Sequence, residues 1–247
     1  EFYGLFLLSM AGGGFMAAAA NVLVVYVGLE LLSFSSYILA GLRSDDERSN
    51  EAALKYFLNG AASSAILLFG LSWLYGLSGT LDLLTMAERL AASSASPILL
   101  VIALAFVIAG FGFKLASVPF HLWVPDVYQG SPTPVTAFLS VGSKGAALAG
   151  ALRLFYIGLS PLDDRWTQYW AILAAITMTW GNVSALRQTN IKRLFAYSSI
   201  AQAGYAVVGL ATGSSVGIAA AIFFLLAYTV TNLGAFAVIT AVSNAGG

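Results

Sequence analysis

Three ionisable side chains of this sequence stand where an apolar environment is expected. Glu30 and Lys144 lie near the middle of long apolar stretches, and Lys114 lies well inside another. A charged group at the centre of a membrane helix costs about 2.5–3.5 kcal/mol on insertion scales, so such residues mark an ion pathway or a buried partner. The chemistry to consider is therefore proton transfer, or a structural ion pair.

The deep acid and the deep lysines do not balance. Glu30 and Lys114 can form an ion pair that locks two helices together, which is the structural alternative to an ion pathway. Lys144 then has no deep acidic partner. Because burial disfavours the charged form of a lysine, such a group can take up and release a proton near neutral pH. We expect Lys144 to take part in proton transfer.

The stretch FGFKLASVPFHLWVPDVYQGSP, residues 111–132, places Lys114 and the single histidine, His121, close together. Pro119 between them has no N–H to donate, and the surrounding apolar run is too long for one straight crossing at about 1.5 Å per residue. We expect a broken membrane helix near Pro119, as is common where ions pass through transporters. His121 can hold or pass on a proton, or it is a hydrogen-bonded interfacial histidine next to Trp123.

Composition defines the elements that position these residues. The chain is 59% hydrophobic and only 9% charged, with a mean hydropathy of +0.86. A helix needs about 20 apolar residues to cross a bilayer, and about eight such runs follow one another. The alternation typical of a membrane β-barrel is absent, so the fold class is an all-α, polytopic transmembrane bundle. The predicted spans are 2–20, 21–42, 51–77, 97–123, 133–157, 166–187, 190–211 and 216–241.

Cysteine is absent and histidine occurs once. These counts exclude disulfides, thiolate metal sites and a multi-histidine haem or zinc site within this chain. We therefore expect no metal, no cofactor and no redox active site on it. The chain begins with Glu1, without a methionine or signal peptide, and we interpret it as a piece of a longer protein.

The basic residues outside the deep positions fall unequally on the two sides of the predicted bundle. The side on which the first helix begins is expected to be the cytoplasmic or equivalent side, because it carries the larger group. The larger group is Arg43, Arg48, Lys55, Arg187, Lys192 and Arg193, and the smaller group is Arg89, Arg153 and Arg165. Solvated loops are expected to contain Asp45, Asp46, Glu47, Asp82, Glu88, Asp163 and Asp164.

Four segments carry a resemblance to a known family. They are LELLSFSSYILAG, EAALKYFLNGAASSAILLFG, FKLASVPFHLWVPDVYQGSPTPVTAFLSVGSK and GNVSALRQTNIKRLFAYSSIAQAGY. In this order they resemble the N-type antiporter-like subunits of proton-translocating NADH-quinone oxidoreductase, complex I, and the corresponding subunits of chloroplast and cyanobacterial complexes. The segment PDVYQGSPTPVTAFLSVGSK is less similar to the L and M subunits and to cation/proton antiporter subunits.

The resemblance implies a single proton-translocating membrane domain over residues 1–247. Residues 1–157 would form a first five-helix repeat, and residues 166–241 the start of a second, inverted and incomplete repeat. The family's glutamate on the second helix corresponds to Glu30, its broken-helix lysine to Lys114 and its central relay lysine to Lys144. His121, Lys55 and Lys192 also match family positions. Positions near the positively charged side explain the last two lysines equally well.

The implied function is proton translocation coupled to electron transfer to quinone, with quinone and NADH or another electron donor handled by other subunits. A stand-alone cation/proton antiporter is the alternative, and a purely structural membrane subunit is a third possibility. The expected partners are other membrane subunits, including neighbouring antiporter-like ones, together with lipid, protons and water, and no nucleic acid. The expected location is the bacterial plasma membrane, with a thylakoid or organelle inner membrane as alternatives. Water along the path could be held by Ser33, Ser35, Ser36, Thr136, Ser140 and Ser143, or these side chains are packing contacts.

Overall fold

A computed structural model describes residues 1–93 and 96–245, which are helical along most of their length. The α-helices are α1 (Phe2–Ala18), α2 (Val22–Ala40), α3 (Glu47–Ser78), α4 (Leu83–Ala91), α5 (Pro97–Leu115), α6 (Val124–Gly130), α7 (Thr133–Phe138), α8 (Lys144–Arg153), α9 (Asp163–Ala185), α10 (Ile191–Ala211) and α11 (Ser215–Ala245). The described residues contain no β-strand, and the all-α expectation is confirmed.

Each of the predicted apolar runs contains a long helical segment. By length and composition, six of the described helical segments can cross a membrane: α2, α3, α5, α10, α11 and the segment Thr133–Gly158 that contains α7 and α8. Helix α1 is apolar but only 17 residues long, and α9 begins with the charged residues Asp163 and Asp164. With these spans the chain is an integral membrane protein.

The predicted break near Pro119 is confirmed. Helix α5 ends at Leu115 because Ala116 takes a left-handed conformation, with φ of 62°. The Val118–Pro119 peptide bond is cis, and helical structure resumes at Val124. Helix α6, which lies between the candidate spans, thereby becomes a separate element that can carry its own contacts.

A π-helical turn, Leu139–Ser143, joins α7 to α8. Such wide turns interrupt the regular hydrogen-bond ladder and are frequent at functional sites. Lys144 is the first residue of α8, directly after this turn. A second π-helical turn, Leu154–Gly158, follows α8.

The loop assignment is wrong for Glu47, Glu88, Asp163 and Asp164, which lie in helices, whereas Asp45, Asp46 and Asp82 lie outside helices as predicted. Asp82 caps a helix that was not predicted, α4, by accepting a hydrogen bond from the Thr85 N–H at 2.9 Å, and Glu88 lies within that helix. Asp46 caps α3, whose first turn contains Glu47. The acidic pair at the start of α9 is also helical. Carboxylates are favoured at helix N-termini, where N–H groups are unpaired and the helix dipole is positive.

Members of the two predicted groups of basic residues lie at opposite ends of α3. Lys55, near the start of α3, and Arg193, near the start of α10, share one carboxylate, that of Asp126. At the other end, the Arg89 guanidinium donates to the carbonyl oxygen of Ser78, the last residue of α3. The separation of charge that the sequence predicts is therefore present in the fold.

Candidate proton-transfer site

Lys114 is buried at the end of α5, with 1% of its surface exposed. Its Nζ donates a hydrogen bond to the Tyr56 hydroxyl of α3 at 3.2 Å. The same Nζ lies 5.3 Å from the centroid of the Tyr56 ring and 5.8 Å from that of Tyr37. Aromatic faces attract cations, so the ammonium is surrounded by neutral groups that favour its charge.

Tyr56 is fixed by aromatic packing on two sides. Its ring stacks on Trp123 with centroids 4.3 Å apart and an angle of 10°, and it meets the edge of Tyr37 at 4.7 Å. The Trp123 indole N–H donates to the carbonyl oxygen of Phe113 at 3.0 Å. Trp123, in the segment between α5 and α6, therefore packs against the same tyrosine that contacts Lys114.

Glu30 is half-buried on α2 and accepts a hydrogen bond from the Ser64 hydroxyl of α3. Ser64 in turn lies 3.0 Å from the Tyr26 hydroxyl. Across residues 1–93 and 96–245, no Glu30 oxygen lies within 4.0 Å of the Lys114 Nζ. The two charges interact electrostatically through space. Glu30 and Lys114 therefore interact over a longer distance and do not form the direct ion pair that the sequence suggested.

Lys144 is 4% exposed, and within the described residues its Nζ donates hydrogen bonds only to one residue of α10. Its Nζ donates to the Ser199 carbonyl oxygen at 2.6 Å and to the Ser199 hydroxyl at 2.5 Å. The Tyr128 hydroxyl of α6 lies 3.1 Å from the same serine oxygen. No carboxylate lies within ion-pair distance of Lys144 in the described part of the chain. This lysine has the unpaired position that the charge count predicts.

His121 is buried but is not brought to either deep lysine by a direct contact. Its exposed fraction is 5%, and its ring lies 6.0 Å from that of Trp180 on α9. Its Nδ1 is buried without a hydrogen-bond partner in the described residues. The histidine therefore lies beside α9 rather than at the contact between Lys114 and Tyr56.

Lys55 and Lys192 lie in a charged cluster where α3, α6 and α10 meet. The Lys55 Nζ is 2.7 Å from one oxygen of Asp126, and the Arg193 guanidinium is 2.6 Å from the other. Lys55 also pairs with Glu51 at 2.6 Å. The Lys192 Nζ donates to the carbonyl oxygen of Ser131 at 2.5 Å. We call Lys55, Asp126, Lys192 and Arg193 the peripheral cluster.

The carboxyl of Asp126 is tuned by opposing effects. Partial burial raises its pKa, but the hydrogen bonds from Lys55 and Arg193 outweigh burial and lower the pKa below its usual range. A cavity of about 210 Å³ adjoins this carboxylate and is lined by polar residues that include Arg48 and Gln129. Asp126 therefore stays ionised and ties three helices together.

The small hydroxyl residues proposed to hold water divide into two groups. Most donate within hydrogen-bond distance to backbone carbonyls, in particular Ser33, Ser35, Ser36, Thr136 and Ser140. Ser140 also accepts a hydrogen bond from Asn232 of α11. Ser143 differs, because its buried hydroxyl has no hydrogen-bond partner in the described residues.

The polar partners of the lysines were not anticipated from the sequence. Tyr56, Ser199 and Tyr128 contact a deep lysine directly or through one hydroxyl. Tyrosines and serines are common in apolar helices, and hydropathy does not indicate which of them faces a charge. Tyr56, Tyr128 and Ser199 all lie within the segments that carry the family resemblance, but the resemblance assigned none of them a role.

Residues 19–246 match the family described as NADH:quinone oxidoreductase/Mrp antiporter, transmembrane. The chain belongs to this family. It is 53% identical to NADH-quinone oxidoreductase subunit N 2 of Symbiobacterium thermophilum, over 100% of this chain and 51% of that protein. It is 52% identical to NAD(P)H-quinone oxidoreductase subunit 2 of Synechocystis, over 97% of this chain and 46% of that protein. The chain thus spans about half the length of these relatives.

Solved structures give the same family relationship. A chain of respiratory complex I from Thermus thermophilus matches with a TM-score of 0.82 and 40% identity, over 96% of this chain and 51% of that one. A chain of an archaeal membrane-bound sulfane sulfur reductase matches with a TM-score of 0.81 and 32% identity, over 94% of this chain and 47% of that one. A chain of the Mrp complex from Dietzia has a TM-score of 0.82 at 24% identity, over 94% of this chain and 43% of that one, and shows a shared fold.

Proposed function

We propose that this chain is part of an antiporter-like membrane subunit of a respiratory or photosynthetic complex I, and that it translocates protons coupled to electron transfer to quinone. The observation that carries the proposal is the placement of Lys114 and Lys144. Each is almost fully buried, and in the described residues each is hydrogen-bonded to neutral oxygens alone. Such a lysine can change its protonation state without breaking a contact ion pair.

The proposed mechanism is a relay between the two deep lysines. The negative charge of Glu30 stabilises protonated Lys114 from a distance, as the electrostatic interaction between them supports. Conformational or electrostatic events elsewhere weaken that interaction, and the proton moves toward Lys144 through water. The Lys144 ammonium is stabilised by hydrogen bonds to two oxygens of Ser199. His121, Lys55 and Lys192 belong to the proposed path in lesser roles.

The proposed partners are the other membrane subunits of the complex, including neighbouring antiporter-like subunits. Electron transfer, with NADH or another donor and quinone, belongs to those other subunits, and the proposed location is the bacterial plasma membrane. The names of the relatives at 52–53% identity support an oxidoreductase complex. A stand-alone cation/proton antiporter is the second candidate, which the shared fold with the Mrp chain favours. Copurification of the full-length chain with a large redox complex distinguishes the two.

Substitution of Lys144 in the full-length, assembled complex tests the relay. We expect Lys144→Ala to reduce both proton translocation and quinone reduction while assembly is retained. Lys144→Arg should be nearly as harmful, because arginine, with a pKa above about 12, does not release its proton. Arg153→Ala serves as the control, since Arg153 lies at the far end of the same helix and bonds the Ala17 carbonyl oxygen. Full proton translocation by the arginine variant would exclude the relay role.

A further inference from the structure

The Tyr56 hydroxyl contacts the buried Lys114 side chain directly. Within residues 1–93 and 96–245 it is the only oxygen that accepts a hydrogen bond from the Lys114 Nζ. Tyr56 is 0% exposed, and its ring is held against Trp123 and Tyr37. A proton that leaves Lys114 by a direct hydrogen bond therefore has to pass through this hydroxyl.

Ser143 is a second neighbour of the Tyr56 hydroxyl, beside Lys114. The two hydroxyls are neighbours, but no hydrogen bond of acceptable geometry joins them, and the Ser143 oxygen is left without a partner. Ser143 is also the last residue of the π-helical turn and directly precedes Lys144. An unpaired buried hydroxyl costs free energy unless a water or a moving neighbour satisfies it.

Hydroxyl groups also surround the other lysine. The Tyr128 hydroxyl lies 3.1 Å from that of Ser199, which lies 2.5 Å from the Lys144 Nζ. Tyr128 and Tyr56 are close enough to interact electrostatically. Lys114 therefore contacts one tyrosine directly, Lys144 is linked to another through Ser199, and the unpaired Ser143 oxygen lies beside Tyr56.

We propose that Tyr56 is a proton-relay residue that connects Lys114 to the Lys144 side of the site; this rests on the proton-translocating function proposed above. In the step, the Lys114 ammonium transfers a proton to the Tyr56 oxygen while the original Tyr56 proton leaves toward the Ser143 oxygen. The Lys114 N–H bond and the original Tyr56 O–H bond break, a new Tyr56 O–H bond and an O–H bond on a water beside Ser143 form, and the tyrosine is neutral before and after. A water beside Ser143 completes the hydrogen bond and carries the proton on.

The competing explanation is that Tyr56 has a purely structural role. Removing its hydroxyl while keeping its ring distinguishes the two explanations. Tyr56→Phe keeps the ring that stacks on Trp123 and removes only the oxygen that contacts Lys114. Tyr205→Phe is the matched control, because it removes a membrane-helix hydroxyl that is bonded to Asn182 at 3.1 Å, away from both lysines. Ser143→Ala tests the next position in the line.

The experiment measures the rates of proton translocation and of quinone reduction in proteoliposomes that contain the assembled complex with the full-length chain. We expect Tyr56→Phe to lower the proton-translocation rate by about tenfold, since positioned proton-transfer groups contribute roughly 10²–10⁴-fold and water can replace part of the path. Ser143→Ala should lower the rate less, and Tyr205→Phe should not lower it. Assembly of every variant is checked on native gels.

The outcomes distinguish this inference from the function it rests on. Unchanged translocation in Tyr56→Phe, with loss in Lys144→Ala, overturns the tyrosine relay and leaves the proposed function standing. Unchanged translocation in Lys144→Ala overturns the proposed function itself. If Tyr56→Phe does not assemble, Ser143→Ala becomes the test. A normal proton-translocation rate in that variant would contradict a path through the Tyr56 and Ser143 hydroxyls.

Discussion

Lys114 and Lys144 are buried among hydroxyls, carbonyls and aromatic rings, whereas Lys55 and Arg193 share the carboxylate of Asp126. The first pair lies deep in the bundle, with 1% and 4% of each residue exposed. The second pair has side chains that are 42% and 30% exposed. The same chemical type of residue is thus placed in two contrasting environments.

The contrast indicates different tasks. An ammonium that contacts a carboxylate gains by staying charged, so the peripheral cluster is suited to holding α3, α6 and α10 together. An ammonium that is hydrogen-bonded only to neutral oxygens pays for burial without a contact counter-ion, so its charge is easier to remove. The deep lysines are therefore suited to proton exchange inside the bundle, and the ion pairs of Asp126 are suited to stabilising the helices around the proposed path residues Lys55 and Lys192.

The largest expected effect comes from Lys114. Lys114→Ala and Lys114→Arg should both lower proton translocation by about a hundredfold in the assembled complex, at the lower end of the range for positioned proton-transfer groups. Alanine removes the proton carrier, and arginine retains its proton. Proton uptake into proteoliposomes measures the effect.

Arg193→Lys provides the peripheral counterpart of the Lys114→Arg exchange. It preserves a charge beside Asp126, so translocation should remain close to that of the unaltered protein. If Lys114→Arg is tolerated as well as Arg193→Lys, the deep lysine has a structural role and the contrast between the two regions does not hold.

The sequence predicted the backbone better than the contacts. The long helices follow from runs of apolar residues, and the break follows from Pro119, which is a local property of the chain. Helix α4 was missed because its 9 residues are too few for a membrane span and its acidic residues suggested a loop. The π-helical turn before Lys144 also left no sequence signal that periodicity detects.

The environment of the charges depends on packing between distant segments. Lys114 meets Tyr56 and Lys144 meets Ser199 across sequence separations of 58 and 55 residues. A depth estimate identifies which lysines are buried, but it does not determine which hydroxyl each one meets. The same limit applies to Glu30, whose hydrogen-bond partner proved to be Ser64 rather than Lys114.

Asp126→Asn should have an intermediate effect that falls on stability. The substitution leaves Lys55 and Arg193 without their shared carboxylate. Partly exposed ion pairs are worth roughly 0.2–1 kcal/mol each, so we expect a loss of about 1 kcal/mol in stability. Translocation should fall by no more than about twofold, since the deep lysines are untouched. Thermal inactivation of the assembled complex measures the first effect, and a large loss of translocation at normal stability would contradict it.

The stability that Asp126→Asn loses depends on pH in a defined direction. The pKa of Asp126 is lowered in the folded protein because hydrogen bonds from Lys55 and Arg193 outweigh partial burial. Its stabilisation is therefore fully present above the ordinary aspartate pKa of about 3.9 and disappears as the pH falls through the lower folded value. The stability difference between the unaltered protein and Asp126→Asn should be constant near neutral pH and shrink under acid conditions.

The smallest expected effect on proton translocation comes from the helix cap that precedes the peripheral cluster. The Asn190 side chain accepts a hydrogen bond from the Arg193 N–H at 3.1 Å, which satisfies an otherwise unpaired donor at the start of α10. Asn190→Ala should reduce stability by about 0.5–2 kcal/mol and leave proton translocation unchanged. Asn21→Ala is the matched control on α2, the helix that carries Glu30, because Asn21 accepts from the Leu23 N–H at 2.8 Å. Thermal inactivation and proton uptake are measured on both variants, and a translocation defect in Asn190→Ala alone would contradict the expectation that the cap at the start of α10 affects stability only.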